Sequence, residues 1–97
     1  MEGTGIRSQV ITEICQLAER YSVEQVILFG SRARGDFRRT SDIDLAVRGG
    51  DFARFALEVE EETSTLLQFD IVDLNRDMQD ELRLAIEEEG KLLYEKV

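Results

Sequence analysis

Three features of this 97-residue chain predict an α/β fold with a small mixed β-sheet flanked by helices. Amphipathic segments at helical spacing alternate with short apolar runs rich in β-branched residues. The chain has no proline, repeat or low-complexity tract to mark an internal boundary. With 42% hydrophobic content there is room for one core, so residues 1–97 are expected to form a single domain.

Ile6, Val10, Ile14, Leu17 and Tyr21 recur at helical spacing around Glu13, Gln16 and Arg20, which predicts a first helix. Val26-Ile27-Leu28-Phe29, ended by Gly30, reads as a strand buried on both faces. Ile43, Leu45 and Val47 alternate with Asp42, Asp44 and Ala46, the pattern of a strand with one apolar face. Phe52, Phe55, Ala56 and Val59 form a second amphipathic helix that runs into a solvated Glu60-Glu61-Glu62 end. Residues 68–74 form a third strand candidate. Met78, Leu82, Ala85 and Ile86 predict a last helix, with Gly90 in the place of a C-terminal glycine. Leu92-Leu93-Tyr94 is expected to pack as a final extended segment.

The net charge of −9 is unevenly spread. Residues 1–50 balance seven acids with seven bases, whereas residues 51–90 carry thirteen acids and three bases. Such a surface repels polynucleotides, whose binding depends on neutralising phosphates, so no stable nucleic-acid binding is expected. A small anionic ligand at the arginines of the 30–45 segment, or a basic protein at the acidic half, fits better. No stretch has the length and apolarity of a membrane span, and the N-terminus lacks a basic-then-apolar signal pattern. A cytoplasmic protein without membrane contact is the expectation. The lone Cys15 falls on an apolar helix face with Ile11 and Ala18 and reads as a buried, inert thiol rather than a reactive one.

The chemistry concentrates between Gly30 and Leu45, in Gly-Ser-Arg-Ala-Arg-Gly-Asp-Phe-Arg-Arg-Thr-Ser-Asp-Ile-Asp-Leu. Gly-Ser followed, after ten residues, by Asp-x-Asp arises by chance about once in 10⁵ start positions. Asp42 and Asp44 project from one strand face about 7 Å apart. Two carboxylates so close repel, and a divalent cation with hard oxygen ligands relieves that repulsion. The plainer alternative is an exposed strand face or turn hydrogen bonds. Gly30 at a strand end lets backbone approach a ligand closely, and Ser31 can cap a following helix whose free amides suit an anion. Taken together, a phosphate site and a metal site ten residues apart favour a nucleotide–metal site over a plain capped turn.

Gly30-Ser31, Ala33-Arg34-Gly35 and Ser41-Asp42-Ile43-Asp44-Leu45 resemble the signature of the polymerase-β-type nucleotidyltransferase superfamily, and the minimal nucleotidyltransferases of prokaryotes in particular. The likeness extends to Phe-Asp-Ile-Val-Asp-Leu (69–74) and to Ile-Glu-Glu-Glu-Gly-Lys-Leu-Leu-Tyr (86–94). It implies a palm-like nucleotidyltransferase fold and a third carboxylate on a later strand. The family's apolar-Asp-apolar-Val frame selects Asp70; Asp73, near the strand end, reads as a turn or solvent residue. Asp42, Asp44 and Asp70 would then hold one or two Mg²⁺ ions. Gly30 and Ser31 would bind the β- and γ-phosphates of ATP, and Asp70 would be the candidate general base. Arg32 or Arg34 would add positive charge along the leaving group, unless both are simply solvated.

Many members of that group are antitoxins paired with HEPN-domain toxins, and some are thought to transfer AMP to a tyrosine of the toxin. The resemblance therefore implies AMP transfer from ATP to a partner-protein hydroxyl. Two other readings stand beside it. One is a non-catalytic module that binds nucleotide or neutralises a toxin through its acidic half. The other is nucleotide transfer to a small molecule such as an aminoglycoside, which usually needs an added acceptor domain for which 97 residues leave no room.

Overall fold

A computed structural model describes residues 3–97. Its elements are α1 (Ser8–Arg20), β1 (Gln25–Phe29), α2 (Ser31–Arg34), β2 (Ile43–Arg48), α3 (Phe52–Glu62), β3 (Phe69–Asp73), α4 (Asp80–Glu89) and β4 (Lys91–Glu95). The four strands form one mixed sheet in the order β3-β2-β1-β4. β1 runs antiparallel to both β2 and β4, while β2 and β3 are parallel. Parallel neighbours need a crossover, and α3 supplies it. The sheet and flanking helices match the predicted α/β class.

The larger core lies on one sheet face. Val10, Ile14, Leu17 and Ala18 of α1 meet Phe55 and Val59 of α3 over Val26, Leu28, Ile43, Leu45 and Val47. Burying a side chain such as Phe55 contributes roughly 1.5–3 kcal/mol. Tyr21 ends α1, and its hydroxyl donates to Glu58 Oε1 at 2.9 Å, tying the two helices together. Asp51 caps α3 by accepting from the Arg54 amide at 3.2 Å.

The second face differs from expectation. Phe29, Ala46, Leu74 and Ile86 form a separate buried cluster, with Met78 and Leu82 packed against it. On β2 the expected alternation holds except at Ala46, which is buried in this cluster with Ile86 of α4. The other side chains on that face are polar: Asp42 and Asp44 toward one end and exposed Arg48 at the other.

Gly90 follows α4 but is not left-handed: its φ is −64° and ψ 146°. The position excludes a side chain for another reason, since a Cβ would lie 2.3 Å from the Ile86 carbonyl oxygen and 2.5 Å from Ile27 Cγ2. Met78 precedes α4 rather than joining it. Leu92-Leu93-Tyr94 belong to the edge strand β4. Cys15 is only half-buried; its thiol donates weakly to the Leu93 carbonyl, and burial pushes its pKa up. That keeps it in the unreactive thiol form expected of it. Among the described residues no helix is long and apolar enough to cross a membrane.

Candidate active site

The strand register builds the site. Phe29, the last residue of β1, pairs with Asp44 on β2, and Asp44 pairs with Asp70 on β3. Cross-strand partners share a sheet face, so Asp44 and Asp70 project on the side covered elsewhere by α4. Asp42 lies two residues before Asp44 and faces the same way. Asp42 and Asp70 are exposed, and Asp44 is half-buried.

Gly30 closes the site from the β1 side. Its φ of +75° and ψ of −158° swing the chain out of the strand, a conformation that costs other residues strain. A Cβ here would stand 2.2 Å from Asp44 Oδ2. Backbone and carboxylate thus approach to a distance that only glycine permits. We expect Gly30→Ala to lower stability by about 1–3 kcal/mol. Adding Asp44→Ala should recover part of that loss; an unperturbed single variant in thermal melts would contradict the close approach.

One turn of helix follows. The Gly30 carbonyl accepts from the Ala33 and Arg34 amides, each at 3.1 Å, and Gly35, at φ +95°, ends the turn by donating to the Ser31 carbonyl at 2.8 Å. Ser31 is the first residue of α2, not its cap; the cap position is Gly30, which has no side chain to bond. The capping role expected of Ser31 is therefore corrected. Its half-exposed hydroxyl has no protein hydrogen-bond partner among the described residues.

The electrostatics single out Asp44. Burial first, then the charges of Asp70 and Asp42, push its pKa up to about 6, and Arg34 opposes the rise. Asp44 therefore feels the carboxylates on either side of it, one two residues earlier in the chain and one on the next strand. No three His, Cys, Asp or Glu side chains among the described residues are gathered tightly enough to enclose a metal ion as they stand. The donor set nevertheless suits a hard divalent cation: all oxygen, and destabilised by its own charge.

The two arginines part company. Arg34 is exposed, donating through Nη1 to Glu89 Oε2 at 3.1 Å and through Nε to Asp36 Oδ2 at 3.3 Å. Arg32 is 1% exposed. Its guanidinium donates to the carbonyls of Ser41 at 3.0 Å, Thr4 at 2.9 Å, Arg39 at 3.2 Å and Arg38 at 3.4 Å. It also lies 4.8 Å from the Phe37 ring centroid. This corrects the expectation of a phosphate contact at Arg32, whose donors are committed to main chain. Gly5, at φ +69°, lets the N-terminal segment pass against this arginine and Phe37. Nothing in the pattern at Thr4-Gly5 announced that role.

Asp73 is engaged elsewhere. Three residues from Asp70, it falls on the other side of the pleat. Its Oδ1 accepts from the Asn75 amide at 2.9 Å, and its Oδ2 lies 3.8 Å from Arg76 Nε.

Comparison with known proteins places the chain in a family. Residues 10–97 match the family model described as "Polymerase beta, Nucleotidyltransferase". A 59-residue stretch is 36% identical to "Putative protein adenylyltransferase MJ1215" of Methanocaldococcus jannaschii, covering 58% of this chain and 67% of that protein. A crystal structure of a toxin-antitoxin with AMP-PNP superposes with a TM-score of 0.71 at 26% identity, covering 89% of this chain and 73% of that one. A Shewanella oneidensis structure, at 16% identity and a TM-score of 0.67 over 94% of this chain and 74% of that one, shares the fold. The Gly30-Ser31 turn against Asp44, the Asp42-x-Asp44 strand and the family match over nearly the whole chain together make this protein a member of the polymerase-β nucleotidyltransferase family.

Proposed function

We propose that this chain transfers AMP from ATP, in a Mg²⁺-dependent reaction, to a hydroxyl of a partner protein, and that the partner is a HEPN-domain toxin which it restrains as antitoxin. The observation that carries the reading is Asp44, held against Gly30 on one side and paired in register with Asp70 on the other. The relative named as a protein adenylyltransferase and the toxin-antitoxin solved with AMP-PNP support the acceptor and partner. The acidic 51–90 half supports docking of a basic surface.

Asp42, Asp44 and Asp70 would hold Mg²⁺, which when bound supplies charge neutralisation for the triphosphate and the attacking oxygen. The bare Gly30 backbone lets the phosphates come close to Asp44. The Ser31 hydroxyl and the amides opening α2 would hold the departing pyrophosphate. Arg34, steadied by Asp36 and Glu89, would place positive charge beside Asp44. Asp70, exposed at the outer strand, would face the acceptor hydroxyl and receive its proton.

The test first reads the neighbouring reading frame for a HEPN-domain protein and then follows transfer of label to it from ATP carrying the label on the α-phosphate. We expect labelling that Asp70→Asn abolishes and Asp73→Asn spares; the reverse would make Asp73 the third carboxylate. No labelling with ATP, GTP, CTP or UTP would leave a toxin-neutralising binding module. Ser31→Ala should slow transfer about 10- to 100-fold at an unchanged melting temperature, since its hydroxyl has no hydrogen-bond partner among the described residues. Unchanged kinetics would remove Ser31 from the phosphate site.

A further inference from the structure

One sheet edge lies open beside the carboxylates. β3 is an outer strand in the sheet order. On its inner side, the Ile43 amide donates to the Gln68 carbonyl at 2.9 Å and the Leu74 amide to the Val47 carbonyl at 2.8 Å. Main-chain groups in a ladder alternate in direction, so Gln68, Asp70, Val72 and Leu74 turn theirs toward β2, and Phe69, Ile71 and Asp73 turn theirs outward. Among the described residues the one outward bond is the Asp73 carbonyl accepting from the Arg76 amide at 3.2 Å. The opposite edge, β4, is two strands away from Asp44.

A cleft of about 470 Å³ straddles this open edge. Phe52 and Ile71 line it on one sheet face, and Val72 and Met78 on the other. Its charged lining is Asp73, Arg76 and Asp77. Arg76 is within 3.8 Å of Asp73, which leaves exposed Asp77 as the carboxylate of the lining without a cationic partner among the described residues. The edge is therefore apolar on both flanks and carries net negative charge at the cleft.

We propose that this edge docks the acceptor: an extended, basic segment of the acceptor protein adds to β3 as a fifth strand and brings its hydroxyl-bearing residue opposite Asp70. Residues opposite one another on adjacent strands stand about 5 Å apart and share a face, which places the hydroxyl within reach of the Asp70 carboxylate. Alternate side chains of the segment fall on the Phe52 side and the Met78 side, so both flanks of the cleft are used. The chemistry is that of the transferase reading, on which this inference rests. The acceptor oxygen bonds to the α-phosphorus, the bond to pyrophosphate breaks, and the acceptor proton passes to Asp70.

The test uses a synthetic peptide, Lys-Lys-Val-Tyr-Val-Lys-Lys, against the ¹⁵N-labelled full chain with Mg²⁺ and a non-hydrolysable ATP analogue. We expect amide shifts confined to Phe69, Ile71, Asp73 and the cleft residues. Affinity should fall at least tenfold when the lysines are replaced by glutamates, or when alternate peptide nitrogens are methylated so that they cannot pair with a strand. Asp77→Lys should weaken the lysine peptide several-fold and leave binding of the ATP analogue unchanged. Shifts on another face, no binding, or indifference to N-methylation would overturn the docking proposal. Binding at β3 without labelling from ATP would leave the groove standing and count against the transferase reading instead.

Discussion

Asp44→Asn is expected to reduce transfer by at least about 10³-fold while making the metal-free protein more stable at pH 7. The usual loss on mutating a conspicuous residue is reversed here because Asp44 is held in the fold at the cost of its own ionisation. Its folded pKa of about 6 lies above the ordinary 3.8, raised by burial and by the charges of Asp70 and Asp42. The folded state thus binds the proton more tightly than the unfolded one, and stability is greatest below pH 3.8 and falls as pH rises through 6. A shift of two units would amount to about 3 kcal/mol, which solvent screening of this half-exposed group reduces to about 1 kcal/mol. That corresponds to a rise of roughly 4–8 °C in melting temperature for a domain of this size. Melts in chelator at pH 7 and pH 4 provide the check, since at pH 4 the wild-type carboxyl is already neutral and the advantage of Asn should vanish. A variant destabilised at pH 7 would show that the carboxylate is part of the fold rather than of the chemistry.

The sequence makes this site legible in one direction and not the other. Within a single segment, periodicity is enough: Val10, Ile14 and Leu17 at helical spacing and Val26 to Phe29 as a continuous apolar run appear in the structure as α1 and β1. The Gly30-Ser31 and Asp42-x-Asp44 spacing likewise points to one locus, because a strand pairing back on its neighbour brings both ends together. What is missing from the linear pattern depends on distant segments. Ala46 reads as the polar side of a strand until α4, some forty residues later, covers it. Gly90 has the look of a left-handed cap, whereas its small size is demanded by the Ile86 carbonyl and by Ile27, which lies on β1 at the far end of the sequence. The register that sets Asp70 beside Asp44 rather than one residue out of phase is fixed by packing of Ile43 and Ile71 into the main core.

Arg32 is the plainest case of that limit, and replacing it should have the largest effect on stability of any change considered. In a polar segment with Arg34, Arg38 and Arg39, its neutral expectation is solvation or a phosphate contact. Its 1% exposure and four carbonyl partners make it the hub that ties the Thr4 segment and the 38–41 loop to α2. Arg32→Ala would remove the buried guanidinium that bridges those carbonyls and open a cavity beside Phe37, at a cost of about 3–5 kcal/mol. For a domain whose whole stability is on the order of 5–15 kcal/mol, that removes a large share. Lysine, with a single ammonium in place of a planar fork, should recover only part of it. Arg34→Ala, at an exposed site, should stay within about 0.5 kcal/mol of wild type. Chemical denaturation of the three variants, alongside binding of an ATP analogue, separates the roles. An Arg32→Ala protein that melts like wild type yet loses the nucleotide would return this arginine to the phosphates. A protein that melts early, and regains nucleotide binding once refolded at low temperature, would keep it as the buried brace that holds Ser41, and with it Asp42, at the mouth of the site.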